Sequence, residues 1–172
     1  MLNKIRAVAM DVDGVLTDGT FWWGQNDVEL KRFCFADITG IPLAQEAGII
    51  LAIISGDSSA SGMAIVDRYA KKLNIKTVYK GCHDKASALQ EFAEKHKLEL
   101  SEVCFIGDDV NDIAAMGIAG VSVAPADAHP SVLSKVKLIT QHKGGHGAVR
   151  ELLDMIIESK ISVPTYDKEG IK

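Results

Sequence analysis

Cysteine is scarce in this sequence: there are three in 172 residues, and Cys34, Cys82 and Cys104 lie far apart. An odd count without paired spacing excludes a disulfide framework and a structural zinc site, and makes a reducing cytoplasm the default compartment. Basic charge is not in excess. The net charge is -4 and no Lys/Arg-rich run occurs, so nothing offers a face to nucleic acid. No apolar run is long enough to span a bilayer. Met1 to Lys4 leads straight into a strand pattern, which leaves no room for a signal peptide. Internal repeats and low-complexity tracts are absent too. The length suits a single domain over residues 1–160, followed by a polar, loose tail at 161–172.

The stretch from Ile5 to Asp18 organises the rest. Ala7 to Met10 is a short apolar run that reads as a buried strand, and it ends in Asp11 and Asp13, one residue apart, followed by Gly14. Two acids at a strand tip repel each other unless a cation sits between them. Gly14 lets the backbone turn sharply and lets a ligand approach. This predicts a divalent-cation site at the C-terminal end of a strand, where open α/β sheets place their ligands. The competing reading of Asp-x-Asp-Gly is a simple strand-ending turn.

Residues 19–35 read as a hairpin, with Thr20 to Trp23 β-prone, Gly24 to Asp27 as the turn, and Val28 to Phe35 alternating. Trp22 and Trp23 are a large apolar surface for so small an element. Either both are buried within one chain, or one face packs against a second subunit. Thr39 to Ala47 predicts a short helix closed by Gly48. Ile49 to Ile54 is a continuous apolar run, as in a parallel strand buried on both faces. Helical periodicity follows over Met63 to Leu73, Asp84 to His96 and Ala148 to Glu158, with shorter helices at Ile113 to Met116 and His129 to Ser134. Strands are expected at Lys76 to Tyr79, Val103 to Ile106, Val121 to Ala124 and Lys137 to Thr140. Strand alternates with helix throughout. The expected fold is therefore α/β: a doubly wound, Rossmann-like parallel sheet with helices on both faces, plus one small β-hairpin.

In such a sheet the strand tips gather at one rim. They bring together Asp11 and Asp13, then Ser55 with the backbone of Gly56, then Lys85, then Asp108, Asp109 and Asp112. Carboxylates cannot bind an anion unaided. With a magnesium ion between them the site can hold a phosphate, whose remaining oxygens Lys85 and Ser55 would meet. Each residue also has a plainer reading. Ser55 suits a helix N-cap, Lys85 a solvated surface, and Asp109 or Asp112 the first turn of a helix. His83, His129, His142 and His146 show no ligand spacing and read as structural or surface residues.

These motifs carry a resemblance to the haloacid dehalogenase superfamily of phosphatases. Asp-Val-Asp-Gly-Val-Leu-Thr is similar to its first motif, Ser55 to its second, Lys85 to its third and Gly-Asp-Asp-x-Asn-Asp to its fourth. The resemblance narrows to the small sugar-acid phosphatases, above all the group acting on 3-deoxy-D-manno-octulosonate 8-phosphate. It does so through Lys31-Arg32-Phe33 to Asp37, Gly40-Ile41, Pro125 to Pro130, and Gly144-Gly145-x-Gly147-Ala148-Val149-Arg150-Glu151. It implies that Asp11 is the nucleophile and Asp13 the general acid and base. It also implies that Asp11, Asp108 and the Asp13 carbonyl hold Mg2+, that Ser55, Gly56 and Lys85 bind phosphate, and that Asp109 and Asp112 support them.

No room exists for a cap domain, so the resemblance further implies a homotetramer in which a neighbouring subunit shields the site. The hairpin at Trp22-Trp23 and the segment Gly144 to Gly147 are the candidates for that role. Asp37, Asp57 and Arg68 are the candidate substrate contacts. Asp57 replaces a basic residue usual in the octulosonate group, and nine-carbon sugar-acid phosphatases tend to be acidic there. The loop from Asp57 to Gly62 looks longer than in the group, and His146 replaces an arginine. A sialic-acid-type 9-phosphate is the second candidate substrate. A broad-specificity phosphatase, or a non-catalytic subunit related to sugar-acid cytidylyltransferases, would be a different kind of protein altogether.

Overall fold

The computed structural model describes residues 1–26 and 28–161. The expected tail therefore lies outside the described residues from 162 onward, as does Asp27 in the hairpin turn. Six parallel strands form the main sheet: β1 (Ala7–Met10), β4 (Ile50–Ile54), β5 (Thr77–Tyr79), β6 (Val103–Ile106), β7 (Val121–Ala124) and β8 (Leu138–Ile139), in the order β5-β4-β1-β6-β7-β8. The central strand, β1, pairs Ala7 with Ile50 on one side and with Val103 on the other. All four of its residues are buried. That is why its sequence is a continuous apolar run rather than an alternating one.

The pleat sends alternate β1 residues to opposite faces. Val8 and Met10 join one core, packed by α1 (Phe35–Glu46), α2 (Ala60–Lys72) and α6 (Ala148–Ile161). Ala7 and Ala9 join the other, packed by α3 (Lys85–Lys95) and α4 (Ile113–Ile118). The short α5 (Pro130–Leu133) adds Val132 to this second core. Fully burying a side chain such as Phe92 or Leu152 is worth about 1.5–3 kcal/mol relative to leaving it in water. The two-layered core thus drives the helices onto the sheet.

Two helix starts move. Helix α1 starts at Phe35, not Thr39: its N-cap, Cys34, makes no side-chain capping bond, and Thr39 already donates its hydroxyl to the Phe35 carbonyl one turn back. Helix α2 starts at Ala60, capped by the Ser59 hydroxyl, which accepts the Gly62 amide at 3.0 Å. The expected loop to Gly62 is therefore only Asp57 to Ser59.

The hairpin is a separate antiparallel ribbon, β2 (Thr17–Trp23) and β3 (Glu29–Phe33), which pairs Phe21 with Lys31 and Trp22 with Leu30. Trp22 and Trp23 are 54% and 77% exposed, so the reading that buries both within one chain is excluded. Among the described residues, no helix is long and apolar enough to cross a membrane.

Candidate active site

Strands β1, β4 and β6 end at the same rim, and each delivers a polar residue there. Asp11 follows β1 and donates its amide to the Ile106 carbonyl at 3.0 Å, locking it against the tip of β6. Beyond it, the Thr17 hydroxyl is buried, accepting the Gly14 and Gly19 amides and donating to the Val12 carbonyl. These bonds fold Val12 to Thr17 into a closed turn. Gly14 adopts φ +89°, and any Cβ there would overlap the carboxylate of Asp108. The glycine is what lets the acid of β6 come in against the loop after β1.

Behind Asp11 lies Lys85, only 2% exposed at the first position of α3. Its ammonium reaches Asp11 at 2.8 Å and Asp112 at 2.7 Å, so it is no surface lysine. Asp112, wholly buried, also accepts the amides of Asp108 and Asp109 with its second oxygen. It shapes the acidic loop while holding the lysine in place. Asp109 caps the short 3-10 turn Val110–Asp112 through the Val110 amide. Ser55 is 1% exposed and its hydroxyl accepts the Asp57 amide at 3.3 Å. It is not a helix cap, since Ser59 fills that place for α2.

The electrostatics leave this cluster short of positive charge. Burial, with the neighbouring Asp112 second, pushes the Asp11 carboxyl up to about 7, only partly offset by Lys85. Burial, then Asp11, Asp112 and Asp109, pushes Asp108 up to about 8. For Lys85, burial works against the charge, but Asp11 and Asp112 outweigh it and hold the ammonium above its ordinary value. One lysine is shared among too many acids. Asp11, Asp108 and Asp112 bring carboxylate oxygens within 4.8 Å of one another. Oδ1 of Asp108 is buried without a hydrogen-bond partner among the described residues. An all-oxygen set with an orphaned acceptor fits a hard divalent cation such as magnesium. Asp112 already has both oxygens engaged and Asp11 is paired with Lys85, so the unpartnered oxygen of the set belongs to Asp108.

In front of the acids opens a cavity of about 420 Å³, reached by Asp11, Asp13, Gly56, Asp57, Asp108 and Asp109. Lys85 and Ser55 lie one layer behind its wall. Four further residues, Gly19, Cys82, His83 and Asn111, line the wall: His83 reads from sequence as structural or surface, and Asn111 lies inside the fourth motif with no role of its own assigned. The role of Lys31 escaped the sequence reading. Its side chain, 3% exposed, reaches Asp13 at 2.9 Å, Asp57 at 2.8 Å and Glu29 at 3.5 Å. The available signal was strand alternation, which puts Lys31 on the same side of β3 as Glu29 and Phe33.

Two expected substrate contacts are not brought to this cavity. Asp37 is fully buried, and its Oδ1 accepts the Arg150 amide at 2.8 Å. It serves the first turn of α6, with Gly147 and Val149 as further backbone donors. Arg68 lies on α2, beside a separate cleft of about 270 Å³ shared with Phe33 and Tyr69. Asp57 does line the cavity. Gly144 and Gly145 are buried on the chain's own loop, where a Cβ would overlap the Gly14 carbonyl and the Asp18 amide respectively. They buttress the site from below. His146 contacts Arg32 at 2.7 Å, and Arg32 in turn pairs with Asp18.

Comparison with known proteins bears on this geometry. Residues 59–152 match the family model of the haloacid dehalogenase-like hydrolases. The 3-deoxy-D-manno-octulosonate 8-phosphate phosphatase of Escherichia coli is 38% identical over 155 residues, which cover 90% of this chain and 80% of the relative. The crystal structure of the Moraxella catarrhalis phosphatase of that name, in complex with magnesium, phosphate and KDO, superposes with a TM-score of 0.88 at 38% identity, covering 93% of this chain and 90% of that one. The cobalt-bound Haemophilus influenzae phosphatase superposes with a TM-score of 0.87 at 33% identity, covering 96% and 95%.

Proposed function

Because this chain belongs to the haloacid dehalogenase-like hydrolases, in the family of the 3-deoxy-D-manno-octulosonate 8-phosphate phosphatases, we propose that it hydrolyses that phosphorylated keto-sugar acid through its Asp11-Asp108 cavity. The observation that carries the reading is that Asp11 and Asp108 line one cavity, with Lys85 paired to Asp11 just behind its wall and a buried oxygen of Asp108 left without a partner for a cation. A retired, non-catalytic relative would have no reason to keep that uncompensated arrangement.

Asp11 attacks phosphorus and carries the phosphoryl group as an aspartyl-phosphate. Asp13 gives a proton to the departing sugar oxygen and later takes one from the attacking water. Lys85, Ser55 and the Gly56 amide meet the phosphoryl oxygens, and Asp112 holds Lys85 in position. Mg2+, held by Asp11, Asp108 and the Asp13 carbonyl, would screen the nucleophile from the phosphate and draw charge off the phosphoryl oxygens. Together these groups must lower a barrier by more than about 20 kcal/mol, given how slowly phosphate monoesters hydrolyse unaided.

Asp57 favours a second substrate. It places a carboxylate in the cavity wall, which pulls toward a nine-carbon, sialic-acid-type 9-phosphate. A panel of sugar and sugar-acid phosphates, compared by kcat/KM with and without chelator, separates the readings. The expected result is one sugar-acid phosphate preferred by at least about tenfold, and no turnover without metal. Equal rates across the panel would leave only a broad phosphatase.

The exposed aromatic hairpin supports assembly into a homotetramer through that ribbon. Three unpaired cysteines support a cytoplasmic location.

A further inference from the structure

Each of the two acids assigned to the reaction is gripped by its own lysine, and the two lysines come from opposite sides. Lys85 holds Asp11 from the main domain, at 2.8 Å. Lys31 holds Asp13 from the hairpin, contacting Oδ1 at 2.9 Å and Oδ2 at 3.0 Å. The Asp13 side chain is 41% exposed and faces the cavity, whereas Lys31 is 3% exposed. Three anchors fix the ammonium of Lys31: Asp57 at 2.8 Å, Glu29 at 3.5 Å, and Asp13 itself. Asp57 is fixed in turn. Its other oxygen accepts the Ser59 amide at 2.9 Å, and the Gly62 position leaves no room for a Cβ beside its carboxylate. The grip on Asp13 is therefore built, not a chance surface pairing.

We propose that Lys31 is the positioning residue for Asp13, gripping its carboxyl by both oxygens in the orientation that faces the leaving group. This rests on the role given to Asp13 above. In the first half-reaction the bond from Asp11 to phosphorus forms and the phosphorus–sugar oxygen bond breaks, its electron pair going to the sugar oxygen. The Asp13 proton moves to that oxygen. The negative charge left on Asp13 then lies against the ammonium of Lys31, where it is stabilised as it forms. Lys31 touches neither phosphate nor metal in this account. It acts through Asp13, and it ties proton delivery to the β2–β3 ribbon rather than to the main sheet.

The test uses leaving-group chemistry. A primary sugar oxygen needs a proton to depart, whereas p-nitrophenolate leaves without one. Values of kcat/KM report the steps up to that departure. Lys31→Met is expected to lower kcat/KM for octulosonate 8-phosphate on the order of 10- to 100-fold, within the range of general-acid contributions. The same variant should lower kcat/KM for p-nitrophenyl phosphate by less than about threefold, an effect too small to reflect proton transfer. Lys31→Gln is the milder second variant should the methionine disturb folding, as read by circular dichroism and thermal melting; its loss should lie between.

Asp13→Asn must show the same substrate-dependent loss. If it does not, the role of Asp13 is wrong. If Asp13→Asn shows it and both Lys31 variants treat the two substrates alike, the proposal alone fails. A rise in sugar-phosphate kcat/KM on losing Lys31 would also overturn it, because the lysine would then be restraining Asp13 rather than presenting it.

Discussion

Asp11 and Asp108 are carboxylates from which the fold has removed water faster than it has supplied positive charge. With folded values raised to about 7 and about 8, they hold protons that the unfolded chain gives up near the ordinary 3.8. Between those limits the folded state binds more protons, so metal-free stability falls as pH rises from about 4 to 8. Magnesium, which needs the ionised acids, should remove most of that fall and release protons on binding. Melting curves across this range, with and without magnesium, check the sign; a metal-free protein that gains stability up to pH 8 would contradict it. Gly14→Ala places a methyl group where the Asp108 carboxylate sits and strains a residue at φ +89°. Expected costs are about 1–3 kcal/mol of stability and a clear weakening of magnesium affinity, read by denaturant titration and calorimetry. Asp11→Asn should abolish turnover with the melting temperature kept or raised; steady hydrolysis by that variant would remove the nucleophile.

At the scale of elements, Asp37 is a bridge between helices rather than a substrate contact. Asp37→Ala removes the side-chain acceptor at the first turn of α6 and should cost about 1–2 kcal/mol, like loss of a helix cap. Asp37→Asn, which keeps an acceptor oxygen, should cost less, and kcat/KM of the folded enzyme should hold in both. Urea unfolding and steady-state rates check this; a selective rise in KM would return Asp37 to the substrate site. The contrast with Asp11 shows what the residue pattern conveys. Apolar runs such as Ala7–Met10 and Ile50–Ile54 mark buried parallel strands, because nothing else buries both faces of so short a segment. Acids at their ends mark the rim for the same reason. The start of α1 was not legible, since Cys34 offers no cap. Neither was the pairing of Lys31 with Asp13, which depends on how a hairpin folds back over a strand tip. Local pattern carries no record of such a fold. Arg68 failed similarly: a helix residue close in sequence to the cavity loop turns out to serve a different cleft.

For the molecule as a whole, the exposed face of the hairpin matters most. The hairpin presents Phe21, Trp22, Trp23, Val28 and Leu30 to solvent. That exposed apolar patch, on a ribbon standing off the main sheet, is the surface on which the proposed assembly rests. Replacing Trp22 and Trp23 together by serine should shift the protein toward monomers in sedimentation velocity, with the main-domain fold retained; an unchanged sedimentation coefficient would exclude the ribbon as the contact. One feature of the fold also governs its making. Strand β1 precedes the other five strands of its sheet in sequence, yet its neighbours are β4 and β6, and the partner of Asp37 lies 113 residues downstream. A chain halted before Gly147 thus lacks the backbone donors at the start of α6 that meet this buried carboxylate. Loss of α6 therefore leaves both the Asp37 carboxylate and the face of α1 packed against that helix uncovered.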